Sequence, residues 1–176
     1  MTWSVRKSTP ENHGEARRAD DAALYTPEER ARRDESAWTI VQGVLAPLQF
    51  LIFAASLFLV LRFFATGQGA FAADVSIVAK TIALYAIMIT GSIWEKVVFG
   101  KWIFARPFFW EDVFSMVVIA LHAAYLAMLI GGWGTIDQRL LVALAAYAAY
   151  VVNAGQFLLK LRAARLGAPG QKVVAG

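Results

Sequence analysis

Glu95, Glu111, Asp112 and His122 are the residues of this chain whose types and positions best suit proton chemistry. Glu95 closes one long apolar run and Glu111-Asp112 opens the next, so three carboxyl groups flank one connector. A carboxyl at a membrane boundary is partly stripped of water, which raises its pKa. A second carboxyl close by raises it further and splits the pair into an acid and a base. Such a pair can deliver one proton and remove another. Glu111, Ser115, Val118 and His122 also follow one another at i, i+4, i+7 and i+11, a single stripe of a helix. Each residue has a plainer reading as well. Glu95-Lys96 suits ordinary charge at a helix end, and His122 suits a hydrogen-bonded core residue.

The elements that must hold these groups are apolar. The chain has 176 residues, 59% of them hydrophobic, with mean hydropathy +0.53 and no cysteine. An ordinary soluble domain is about 45–50% apolar. Without Cys there is no disulfide framework, thiolate metal site or Cys nucleophile. The length fits one domain. Four apolar runs stand out: Ile40 to Leu61, Val75 to Trp94, Val113 to Ile130 and Leu140 to Leu159. A bilayer crossing takes about 20 residues. In hydrocarbon each backbone amide must be paired within its own segment, so the runs are helices. The fold class read here is an all-α membrane protein with four transmembrane helices. Gly67-Gln68-Gly69 and Gly131-Gly132-Trp133-Gly134 supply two tight loops on one side. Residues 1–24 lack periodicity and read as a disordered segment. Residues 25–165 form the membrane domain, and 166–176 a flexible tail.

Fourteen of the seventeen Lys and Arg residues fall in the N-terminal segment, the middle connector and the tail. Arg62 and Arg139 are on the other side, and Lys80 lies within the second run. The positive-inside rule therefore puts both termini and the connector in the cytoplasm. The long charged segment ahead of the first run argues against a cleavable signal peptide. The net charge of +4 gathers on no soluble face, so nucleic acid is not an expected partner. Thr26-Pro27-Glu28-Glu29 reads as a capping box opening a helix along the membrane surface that meets the bilayer near Trp38. Pro47 is placed to kink the first span. Lys80 is expected to snorkel toward the outer interface.

Each span carries a polar stripe: Gln42, Ala46, Gln49 and Ser56 in the first; Thr81, Met88, Ser92 and Glu95 in the second; the His122 stripe in the third; Asn153, Gln156 and Lys160, with Tyr150 nearby, in the fourth. Polar groups within a membrane usually face a partner or a cavity. Four stripes predict an inward polar cavity, wettest at the end with Gln42, Glu95, Glu111 and Lys160. The same stripes also suit hydrogen-bonded glue between helices, the favoured reading for Gln49 or Asn153 alone. The connector itself, from Ser92 to Phe114, holds eight aromatic rings and six charges. That suits a flat apolar ligand with a polar rim, or an interfacial aromatic belt.

Three strings carry a resemblance. IWEKVVFGKWIFARPFFWEDVFSMVVIALHAAYL, YTPEERARRDESAWTIVQGVLAPLQF and LAAYAAYVVNAGQFLLKLR resemble the 2-vinyl (equally 3-vinyl) bacteriochlorophyllide hydratase family of bacteriochlorophyll biosynthesis. WEKVVFG and FFWEDVF are the most distinctive parts, and the match runs from Tyr25 to Arg165. The resemblance implies a hydro-lyase of a bacterial inner (intracytoplasmic) membrane. It would add water to the C3 vinyl group of a chlorophyllide or bacteriochlorophyllide, giving the 1-hydroxyethyl derivative. No cofactor is implied, and the magnesium belongs to the substrate.

Applied to these residues, it makes Glu95 and Glu111 the acid and base, with Asp112 as substitute for either. Trp94, Trp102, Phe109 and Trp110 would stack on the macrocycle together with Phe104 and Phe108. Lys101 or Arg106 would pair with its propionate. His122 would bind the magnesium or hold the water. Membrane lipid and other enzymes of bacteriochlorophyll synthesis are the further partners to consider. Two other classes stay open. A non-catalytic pigment-binding or assembly subunit of the photosynthetic apparatus would need no carboxyl pair. A transporter would need a polar path through the outer half, where little beyond Lys80 and Ser56 is polar.

Overall fold

The computed structural model describes residues 24–166, and within it every regular element is helical. The segment expected to be disordered lies outside the described residues except for Leu24, and the tail from 167 onward lies outside them entirely. Five α-helices follow in order: α1 (Pro27–Glu35), α2 (Ala37–Thr66), α3 (Ala70–Phe99), α4 (Phe109–Gly131) and α5 (Ile136–Leu166). A short 3-10 turn, Arg106–Phe108, leads into α4. The last four helices are long and apolar enough to cross a membrane. They outrun the apolar runs because charged and capping residues continue each helix past the hydrocarbon. At 30 residues, α2 and α3 are each about 45 Å long, against a hydrocarbon core of about 30 Å.

Helix α1 begins as its sequence predicts. The Thr26 side chain accepts from the Glu29 amide at 3.2 Å, and Glu29 accepts from the Thr26 amide at 2.9 Å. Thr26→Ala removes one of these bonds. It should loosen α1 by about 1 kcal/mol, seen as faster amide hydrogen exchange in residues 27–35 with the spans unchanged. The helix does not run on into the membrane. Ser36 adopts an extended conformation, and its hydroxyl caps the next helix by accepting from the Trp38 amide. Helix α2 then continues through Pro47.

Packing divides the bundle into two hairpins. Helices α2 and α3 lie against one another along their length, as do α4 and α5, while contact between the hairpins is much sparser. A core of Phe53, Val60, Phe63, Ala73, Ile77, Tyr125, Leu140, Ala143 and Tyr147 fills the half near the two glycine loops. Both loops turn on residues in the left-handed region, with Gly67 at φ 68° and Gly132 at φ 66°, where a side chain would be strained. At the connector end an aromatic knot closes the bundle. Phe108 is buried among Tyr25, Trp94, Phe99 and Phe157, whose ring centroids lie 5.8–6.4 Å from its own. Arg32 of α1 donates to the Val98 carbonyl at 2.8 Å and ties that helix to the end of α3.

Lys80 corrects one expectation. It is fully buried, with Nζ 3.8 Å from the Tyr150 ring centroid, and does not snorkel outward. Its position on α3 explains this. Ile77, Lys80, Thr81 and Leu84 share the buried face, so the stem points into the bundle before it can reach an interface.

Candidate active site

The connector folds back over the ends of the bundle so that its backbone amides meet the carboxyls. Asp112 Oδ2 accepts from the Phe104 amide at 2.7 Å, and Glu95 Oε2 accepts from the Ala105 amide at 3.1 Å. Because the two amides are consecutive, both carboxyls are drawn to one place, where they interact. Phe104 is held at φ 59°, the left-handed region that residues with side chains seldom occupy. This local strain costs on the order of 1–3 kcal/mol and is sustained by the bonds around it. Both acids are buried, at 7% and 6% exposure. Carboxylates buried only to staple a loop would satisfy the plainer reading. Here the two also hydrogen-bond to one another, which requires one of them to carry a proton.

Glu111 goes elsewhere. Its Oε2 lies 2.6 Å from Lys160 Nζ, and the same ammonium donates to the Pro107 carbonyl. The geometry thus joins Glu95 to Asp112, the residue held as substitute, where the resemblance was applied to Glu95 and Glu111. The reason is rotational. One residue along a helix turns the side chain by about 100°, so neighbouring Glu111 and Asp112 face different elements.

The predicted aromatic wall separates into two parts. Trp94 is built into the knot, and its indole N–H donates to Thr39 Oγ1 at 3.0 Å. Trp102, Phe109 and Trp110 are exposed, at 58%, 44% and 66%. Phe104 and Phe109 pack at 5.6 Å, Phe109 and Trp110 at 5.5 Å, and Lys96 Nζ is 5.8 Å from the Trp102 ring. Lys101 and Arg106 are exposed on the same connector. His122 is not brought to the carboxyls. It lies ten residues along α4 from Asp112, about 15 Å.

Between these levels the polar stripes do turn inward, but they close largely on one another. Gln42 donates to Thr90 at 2.7 Å, Asn153 to Ser115 at 2.8 Å, and Ser56 shares hydrogen bonds with Ser76 and Tyr147 at 2.7 and 2.5 Å. A groove of about 270 Å³ lies near the glycine-loop end instead, lined by Phe71, Asp74, Val75, Val78 and Leu129. Sequence reasoning missed the two connector amides, which carry no side-chain signal, and the inward Lys80. The latter was readable from its place on the face of Ile77, Thr81 and Leu84.

The fold and this carboxyl pair define a small multi-pass helical membrane protein with buried acid groups at one boundary. The sequence profile of the 2-vinyl bacteriochlorophyllide hydratase family matches residues 25–163. The 2-vinyl bacteriochlorophyllide hydratase of Rhodobacter capsulatus is 62% identical over 149 residues, 85% of this chain and 86% of the relative. That of Cereibacter sphaeroides is 64% identical over 143 residues, 81% and 89% of the two chains. No solved structure matches the chain. The chain belongs to the 2-vinyl bacteriochlorophyllide hydratase family.

Proposed function

We propose that this protein hydrates the vinyl group of a bacteriochlorophyllide or chlorophyllide, as the names of its relatives state for them, and that Glu95 and Asp112 carry the chemistry. The supporting observation is the convergence of these two buried carboxyls on consecutive connector amides. The reaction adds the elements of water, as a hydro-lyase does in reverse. One carboxylic acid delivers a proton to the terminal vinyl carbon. Positive charge develops on the carbon beside the macrocycle, where conjugation spreads it. Water attacks that carbon while the other carboxylate takes the surplus proton. Redox state is unchanged, so no electron carrier enters the balance, and the magnesium arrives with the substrate.

Around the pair, Trp102, Phe109 and Trp110 offer faces for the plate, and Lys101 or Arg106 offers a cation for its propionate. Trp94 supports them from the knot, while Glu111, fixed by Lys160, positions the start of α4. The excess of Lys and Arg at the connector end supports the reading that this end, and with it both termini, faces the cytoplasm from a bacterial inner membrane.

The test is direct. Membranes carrying the chain, supplied with a 3-vinyl bacteriochlorophyllide or chlorophyllide a, should convert it to a pigment heavier by one water, followed by chromatography and mass. Pigment retained in the membrane but unchanged in mass would move the assignment to a binding subunit.

A further inference from the structure

Glu95 and Asp112 hydrogen-bond to one another, so one of them carries a proton that the other accepts. Whichever holds it at rest is the acid of the reaction. Their places in the fold are not equivalent. Asp112 is in the first turn of α4, at the positive end of that helix, and its side chain leans toward that end. Glu95 stands just before the last turn of α3, near the negative end. Each accepts one connector amide, but the bond to Asp112 is the shorter, 2.7 Å against 3.1 Å. Hydrogen bonds to an ionised oxygen are shorter and stronger than those to a neutral one. Aspartic acid is also intrinsically the stronger acid of the two types. Nearby Glu111 and Lys160 act on Asp112 in opposite directions. Helix end, amide bond and intrinsic acidity all leave the charge on Asp112 and the proton on Glu95.

We propose that Glu95 is the acid that protonates the terminal vinyl carbon, that Asp112 is the base that deprotonates the attacking water, and that the hydrogen bond between them resets the pair. This rests on the vinyl hydration proposed above. The step balances. The π pair of the vinyl group takes the Glu95 proton and becomes a C–H bond, leaving a cation at the carbon beside the macrocycle. The water oxygen bonds to that carbon, and Asp112 takes one of the water's protons. Asp112 is now the carboxylic acid and Glu95 the carboxylate. The proton crosses their hydrogen bond back to Glu95, and one water has been consumed. No proton is exchanged with solvent between turnovers, which suits two groups that are 7% and 6% exposed.

Two measurements on the full chain in detergent micelles divide the roles. The first is infrared spectroscopy without pigment, in which the amide bands also report that each variant is folded. The parent should show a protonated-carboxyl stretch that is lost in Glu95→Gln and kept in Asp112→Asn. The second uses azide, a nucleophile with no proton to lose. With 3-vinyl bacteriochlorophyllide a and sodium azide, Asp112→Asn should recover on the order of tenfold of its lost rate. Its product should be heavier by the elements of hydrazoic acid, because Glu95 still protonates the vinyl group and azide meets the cation. Glu95→Gln should gain nothing. A stretch that survives Glu95→Gln and vanishes in Asp112→Asn reverses the roles and overturns the proposal, as does an azide product from Glu95→Gln. A parent without the stretch overturns it as well, since the pair then holds no proton at rest. So does a folded Asp112→Asn that azide does not rescue. The infrared result needs no turnover. Reversed bands in a parent that hydrates the pigment sink only the division of roles, and the expected bands in a parent that does not hydrate it sink the hydratase reading instead.

Discussion

Glu95→Gln should lower vinyl hydration by about 10²–10⁴-fold, the usual contribution of a positioned acid or base, with the protein still accumulating in the membrane. The amide oxygen of glutamine can go on accepting from the Ala105 amide, now 3.1 Å from Glu95. The connector should therefore keep its course while the proton chemistry is lost. Asp112→Asn should behave alike, since its oxygen holds the Phe104 amide. If the two residues act as one unit, the double variant should be little worse than either single one. Turnover would be read as pigment gaining one water per unit time. Glu111→Gln is the informative contrast. Its carboxylate is bound to Lys160, so its loss should cost stability more than it costs the chemical step. A rate loss as severe as that of Glu95→Gln, in protein equally well folded, would restore Glu111 to the acid–base pair.

That contrast shows where the sequence could be read and where it could not. Four spans follow from runs whose amides have no alternative to helix in hydrocarbon, and the capping box at Thr26 announces α1. Glu95, Asp112 and His122 all stand out as ionisable residues at or within the spans, and all three are buried. What spacing cannot give is the direction of a loop backbone. The left-handed turn at Phe104, which aims two amides at two acids, involves a residue with no preference for that conformation. Its packing against Phe109 and the bonds to Asp112 and Glu95 hold it there. The aromatic wall divided for a similar reason. Phe108 and Trp94 read in sequence like Trp102 and Trp110, yet Tyr25, just ahead of α1, and Phe157 of α5 close on Phe108, Trp94 packs against Phe108 in turn, and the others are left exposed.

The largest loss of stability should come from Lys160→Met. Lys160 Nζ reaches both Glu111, at 2.6 Å, and the Pro107 carbonyl, so one ammonium ties the 3-10 turn and the start of α4 to α5. Glu111 is 6% exposed on its side chain. Removing the cation leaves that carboxylate buried beside an unpaired carbonyl, an arrangement that costs about 3–5 kcal/mol. In detergent, the unfolding midpoint should fall well below that of the parent. Replacing both partners should be milder than replacing the lysine alone. In Lys160→Met with Glu111→Gln no charge remains to be stranded, and most of the loss should be recovered. The cycle also separates two roles for this end of the molecule. If the pair only anchors the connector, the double variant should regain hydration along with stability, because Glu95 and Asp112 take their places from the Phe104 and Ala105 amides. A double variant that is stable but inactive would show that Lys160 or Glu111 meets the substrate itself.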